Sequence, residues 1–211
     1  MTRLQLIREI RAALADPARI GDVPALKSEL GGTRARPEIE RQLDPVRGYH
    51  PRLDLDALAA LPAGTFGHEY ERFLRTNELQ PIVLTGALDP ELVARNAFVV
   101  RYGIIHDMVH VLTGFDTTWP GEVGVWAFVG AQNWSATFRA GGVAALAIAP
   151  LRCPLQLGRA WACWKRGRAM AKRAPLLITL RLEEWLERDL EDLRGELGLE
   201  GAGPGYLPAA A

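Results

Sequence analysis

The sequence predicts an all-α protein: a single compact helical domain over residues 1–200, followed by a flexible tail at 201–211. Three observations predict it. Apolar residues recur in most segments at the spacing of one helix face. Asp, Thr, Pro and Gly bound those segments at helix-starting and helix-stopping positions. Only Leu176 to Arg181 (LLITLR) has strand-like content, and it has no clear partner. With 48% apolar and 24% charged residues, the chain has the composition of a globular protein and not of a disordered one.

Taken in order, Leu4, Leu6, Ile7, Ile10, Ala13 and Leu14 mark a first helix that Asp16-Pro17 ends. Pro24 to Leu30 and Pro37 to Leu43 read as short helices separated by Gly31-Gly32, and Leu53 to Leu61 as another, closed by Pro62. Thr65 is an N-cap for a helix to Leu74 that turns Phe66, Tyr70, Phe73 and Leu74 inward. Pro90 to Thr113 is the longest helical segment, capped by Asp89 and terminated by Gly114. Its second half, Phe98 to Leu112, is apolar nearly all round, which marks a buried central helix. A loop, Phe115 to Trp119, leads to a helix from about Pro120 to about Phe138, and Gly141-Gly142 breaks the pattern. Helices over about Leu155 to Lys172 and Leu182 to Leu197 complete the reading; the Gly/Pro/Ala-rich end GAGPGYLPAAA is the tail.

Several classes are excluded at this point. The N-terminus shows no signal peptide, and the longest apolar stretch, Gly142 to Leu151, is half of what a spanning helix needs, so the chain is not expected to cross a membrane. Cys153 and Cys163 make no zinc pattern and read as small buried thiols in a reducing compartment. Net charge is zero, but its distribution is uneven. No Asp or Glu occurs between Val123 and Leu182, a stretch that holds Arg139, Arg152, Arg159, Lys165, Arg166, Arg168, Lys172, Arg173 and Arg181. From Glu183 to Glu200 eight acids face two arginines. The basic stretch could face anionic lipid headgroups or an anionic ligand; no nucleic-acid partner is expected, and a homo-oligomer remains compatible with the sequence.

The chemistry concentrates in HDMVHVLTGFDTTWPGE, residues 106–122. On a helix His106 and His110 lie one turn apart, and with Asp107 they fit within an arc of about 100°. Two imidazoles at i and i+4 can bind one ion. Glu122 arrives from the next helix across a loop that Gly114 and Pro120-Gly121 let fold tightly. Burying a carboxylate and two imidazoles on an apolar helix costs several kcal/mol unless they are ligated or paired. A divalent cation on His106, Asp107, His110 and Glu122 removes that cost; a paired cluster without metal is the alternative. Mixed nitrogen and oxygen donors suit Zn²⁺, Fe²⁺, Mn²⁺ or Co²⁺.

His-Asp-x-x-His followed by eleven residues and Glu resembles the metal signature of the coenzyme Q biosynthesis protein 4 family, and residues 106–122 match it without a gap. GTFGHEYERFL (Gly64 to Leu74) resembles that family's upstream helix, and HVLTGF with GEVGVWAFVGAQ (Gly121 to Gln132) its core, so the resemblance spans about residues 60–197. It implies an all-helical protein peripheral to membranes. It also implies a divalent metal, usually zinc, held by His106, Asp107, His110 and Glu122. The implied chemistry is ubiquinone biosynthesis through oxidative decarboxylation of a polyprenylated hydroxybenzoate, the C1 carboxyl being replaced by hydroxyl. A role in organising other ubiquinone-synthesis enzymes is implied too. The N-terminus lacks a transit-peptide pattern, which suggests a bacterial, cytoplasmic member at the inner membrane, and LRLEEWLERDLEDLR follows the family's end only loosely.

The expected protein is therefore a metal-dependent decarboxylase. His106, Asp107, His110 and Glu122 serve as both ligands and catalytic residues, and an apolar groove takes the prenyl tail. Tyr102 and Gln132 are weaker candidates for substrate contact. Two rivals stand beside this reading. One is a non-catalytic prenyl-lipid-binding scaffold with a structural metal. The other is a His-Asp-type phosphohydrolase that would recruit His68 and Asp189.

Overall fold

A computed structural model of the chain describes residues 1–201, and among these every regular element is helical. The expected tail lies, from residue 202 onward, outside the described residues. The helices are α1 (Arg3–Ala15), α2 (Val23–Gly31), α3 (Pro37–Glu40), α4 (Leu55–Ala59), α5 (Phe66–Thr76), α6 (Pro90–Arg95), α7 (Ala97–Thr113), α8 (Trp119–Ala131), α9 (Ala136–Arg152), α10 (Leu157–Ala171) and α11 (Leu190–Glu196). The strand-like segment LLITLR forms a 3-10 turn at Leu177–Thr179.

Four boundaries differ from the sequence reading, and polar side chains, glycines or backbone pairing with another element account for them. The segment 90–113 is two helices broken at Asn96. The Asn96 amide donates to Leu92 O at 2.8 Å and to Glu29 at 2.7 Å, offering the backbone a partner that competes with helix continuation. The helix expected to reach Phe138 stops at Ala131, turns at Asn133 with φ 59°, and restarts under a Ser135 cap whose hydroxyl accepts from Phe138 N. Gly141 and Gly142 lie inside α9 and do not break it. A Cβ on Gly142 would stand 2.8 Å from Trp126 O, so glycine is what lets α9 meet α8. Near the end, Leu182–Trp185 is a 3-10 turn and the α-helix begins only at Leu190, after the Asp189 cap; the backbone between them pairs with the start of α5 instead, Leu186 O accepting from Gly67 N and Arg188 O from Phe66 N.

α7 is the centre of the core. Residues Ile105, Met108, Val109, Val111 and Leu112 are fully buried, and α2, α5, α6, α8 and α11 pack around the helix. α8 is clasped by α9 and α10. The closest approach is between backbones: a Cβ on Gly167 of α10 would lie 2.2 Å from Gly124 O of α8. The C-terminal carbonyls of α7 are satisfied by two arginines from distant helices. Arg194 donates from Nε to Leu112 O at 3.1 Å and from Nη2 to Val111 O at 2.6 Å. Arg166 donates from Nη2 to Gly114 O at 3.1 Å, with its guanidinium over the Phe115 ring. Arg166, counted above with the basic stretch, is therefore half-buried and committed to the fold, while Lys165 and Arg168 beside it are exposed.

Candidate metal centre

Helical spacing brings His106 and His110 together on α7, with ring centroids 4.8 Å apart. The turn after α7 brings the third donor. Gly114 adopts φ 66°, the left-handed conformation that ends the helix, and the chain folds back at once. Gly121 makes the return possible: a Cβ there would stand 2.0 Å from Asp116 O, so any side chain would push the first turn of α8 outward. Glu122 sits in that first turn, where the helix dipole favours a carboxylate.

One donor atom from each of His106, His110 and Glu122 lies within 4.8 Å of the other two, a set able to hold a metal ion. Glu122 Oε1 is 3.3 Å from His110 Nε2, and Oε2 is 3.9 Å from His106 Nε2. The outer nitrogen of each ring is engaged. His110 Nδ1 donates to Phe115 O at 3.0 Å; a carbonyl only accepts, so the proton is on Nδ1 and the Nε2 lone pair faces the centre. That Nε2 is buried and has no hydrogen-bond partner, as expected of an atom reserved for an ion. His106 Nδ1 lies 3.1 Å from Asp107 Oδ1, which leaves its Nε2 to the centre. Asp107, expected among the ligands, touches the set through the His106 ring and is not one of the three converging donors.

Burial opposes protonation of His106, but the hydrogen bond to Asp107 and the charges of Asp107 and Glu122 outweigh it and raise the pKa of the ring above its ordinary value. Tyr102 stacks edge-on against His106 at 5.4 Å. Burial, with the charges of Glu122 and Asp107, keeps its phenol neutral far above the usual range. The buried Tyr102 hydroxyl has no hydrogen-bond partner.

The site opens into a cavity of about 970 Å³ whose apolar walls include Ile82, Val99, Tyr102, Trp126 and Phe138. The sequence reading missed Trp126 on α8 and Phe138 on α9 because apolar residues that line a cavity look like core. Gln132 is occupied elsewhere, donating to Pro175 O at 2.6 Å and accepting from Trp134 Nε1 at 2.9 Å. His68 and Asp189 do not line this cavity, and the Asp189 carboxylate caps α11 by accepting from Glu191 N and Asp192 N.

Residues 34–202 match the model of the coenzyme Q (ubiquinone) biosynthesis protein Coq4 family. The chain is 32% identical to the mitochondrial ubiquinone biosynthesis protein COQ4 homolog of Aedes aegypti, over 90% of this chain and 72% of that protein. It is also 32% identical to the human mitochondrial homolog, over 89% of this chain and 74% of that one. A crystal structure of a Nostoc punctiforme protein, assigned provisionally to ubiquinone biosynthesis, superposes with a TM-score of 0.64 over 94% of this chain and 97% of that one. At 23% identity that likeness speaks to the fold alone. The chain that carries these converging donors thus belongs to the coenzyme Q (ubiquinone) biosynthesis protein Coq4 family.

Proposed function

We propose that the protein acts in ubiquinone biosynthesis as a metal-dependent enzyme that removes the C1 carboxyl of a polyprenylated 4-hydroxybenzoate-type ring and leaves a hydroxyl there. The observation that carries this reading is the convergence of His106, His110 and Glu122 at the wall of a large apolar cavity. Family membership supplies the pathway. In this reading His106, His110 and Glu122 hold the ion, Zn²⁺ first among the candidates, and Asp107 orients the His106 ring as an outer carboxylate. When bound, the ion supplies Lewis acidity toward the ring carboxylate or its neighbouring phenolate. The aromatic wall of Trp126 and Phe138 stacks the substrate ring, and the neutral Tyr102 hydroxyl donates to its carboxylate. The cavity takes the first part of the prenyl tail. Loss of CO₂ with gain of one oxygen is a two-electron oxidation, so dioxygen, or water with a two-electron acceptor, is a required co-reactant.

A prenylated substrate resides in a bilayer. No single helix is long and apolar enough to cross a membrane among the described residues. The bent pair α9–α10 offers a way to reach one from the side. Leu151 is 84% exposed and Leu155 99%, with Val143, Ile148, Leu157 and Trp161 also exposed around the bend. Arg139, Arg152, Lys165 and Arg168 flank them with no acidic residue in the stretch. Apolar tip and basic flanks together suit shallow insertion into an anionic leaflet.

Glu122→Gln tests the enzyme reading. The change is nearly isosteric, so the pure variant should melt close to the parent. Cells relying on it should accumulate a prenylated hydroxybenzoate that keeps its carboxyl, with ubiquinone reduced. Normal ubiquinone from a metal-free variant would favour the scaffold reading, in which the ion staples α7 to α8 without chemistry. Accumulation of an already decarboxylated intermediate would end the decarboxylase reading.

A further inference from the structure

Of the six apolar residues that mark α1 in the sequence, only Leu6 and Ala13 are buried. Leu4 is 59% exposed, Ile7 37% and Leu14 52%. At 100° per residue these three fall within an arc of about 80° on one side of the helix, with Arg11 inside the arc and Arg3 and Arg8 bordering it. All three arginines are exposed, and none has an ion-pair partner among the described residues. Glu9, the one acid of α1, lies on the opposite side and pairs with Arg19 at 3.2 Å. The helix is fixed at its start by the Thr2–Gln5 capping box, so the stripe is a built surface and not a frayed end.

This surface adjoins the metal cavity. α1 leads into the 3-10 turn Pro17–Asp22, of which Pro17, Ala18, Ile20 and Gly21 line that cavity. Ile20 is 40% exposed. Val83, whose backbone packs on Gly21, lines the same cavity and is 39% exposed. Charge decides what covers the stripe. A second copy of the chain would set arginines against arginines, and like charges so opposed are costly. An anionic leaflet meets both requirements: the apolar stripe enters the headgroup boundary while the guanidiniums reach phosphates, Arg11 extending along the stripe to do so.

We propose that α1 lies in the headgroup layer of an anionic phospholipid leaflet and brings the Ile20 rim of the metal cavity to the lipid. The surface is distinct from the α9–α10 bend and does not rest on the decarboxylase reading.

Flotation of the full chain with vesicles of equimolar phosphatidylcholine and phosphatidylglycerol tests this. Leu4→Asp/Leu14→Asp changes exposed side chains, so the variant should melt like the parent. Its binding to these vesicles should fall about tenfold or more. Arg8→Glu/Arg11→Glu should cost about twentyfold or more, since one basic residue near such a surface is worth about fivefold, and Arg8→Lys/Arg11→Lys should bind like the parent. Ile20→Asp should weaken binding by about threefold or more. Without lipid, every variant should sediment as the parent does. Leu151 and Leu155 are intact in all of them, so a loss here is separate from any contact at the bend. Folded α1 variants that float like the parent overturn the proposal. So does a change in sedimentation without lipid, which would give the stripe to a second copy, and unchanged binding of Ile20→Asp would remove the cavity rim from the membrane.

Discussion

His106 is held between two opposing influences, and its pH behaviour follows from which one wins. The Asp107 and Glu122 carboxylates raise its pKa in spite of burial. A raised pKa in the folded state stabilises the metal-free protein below the unfolded value of about 6.5, and that contribution is lost as pH rises through the folded value. Metal binding needs the neutral ring, so it strengthens over the same range. The melting-temperature gap between metal-loaded and metal-free protein should therefore widen from about pH 6 to about pH 8. A gap that stays constant across those melts would remove His106 from the ligand set. Asp107→Asn should weaken the ion about 10–100-fold without abolishing binding, the effect of losing an outer carboxylate, whereas His110→Ala should abolish it. Competition with a chromophoric chelator reads both; complete loss in Asp107→Asn would make Asp107 a direct ligand. The candidate donors were legible in the sequence because i, i+4 spacing fixes two rings on one face. The role of Asp107 was not, because the spacing gives its arc on the helix but not which atom its carboxylate meets.

At the scale of elements, α10 carries an internal control for backbone contact. Gly167→Ala would force a Cβ into Gly124 O and should destabilise the fold by about 3 kcal/mol or more. Gly158, on the same helix with nothing within 4 Å, should accept Ala with a gain of up to about 1 kcal/mol. Denaturant melts of the two variants compare them directly, and equal effects would mean that α8 and α10 do not meet through their glycines. Helix identity was mostly legible from apolar spacing and caps. Helix ends were less so. The Asn96 break depends on Glu29 and Arg34 from distant elements, and the pair Gly141-Gly142 reads as a breaker until Trp126 is placed against it. Arg166 misled for the same reason: only the fold shows that a residue in a basic run caps α7.

For the whole molecule, the proposed membrane contact rests on the exposed apolar residues at the α9–α10 bend and the basic residues of the same stretch. Leu151→Asp/Leu155→Asp changes residues that are almost wholly exposed, so folding should be preserved. The pair should lose most binding to vesicles containing anionic phospholipid in a flotation assay, because it removes apolar contact and adds like charge toward the leaflet. Lys165→Glu/Arg168→Glu should weaken the same binding by about 1 kcal/mol per residue, and added salt should mimic it. Parent protein that floats equally with neutral and anionic vesicles would exclude this orientation.

The arginine caps on α7 also set an order of events in synthesis. Ile105 to Glu122 leave the ribosome long before Arg194, yet the Val111 and Leu112 carbonyls at the end of α7 wait for that guanidinium. The start of α5 waits as well, because Phe66 N bonds to Arg188 O and Leu190 N to Gly64 O. A nascent chain thus holds all its donor residues while the helix that presents them is still frayed at one end. Contacts so distant in sequence slow folding and make the last helix the step that closes the structure.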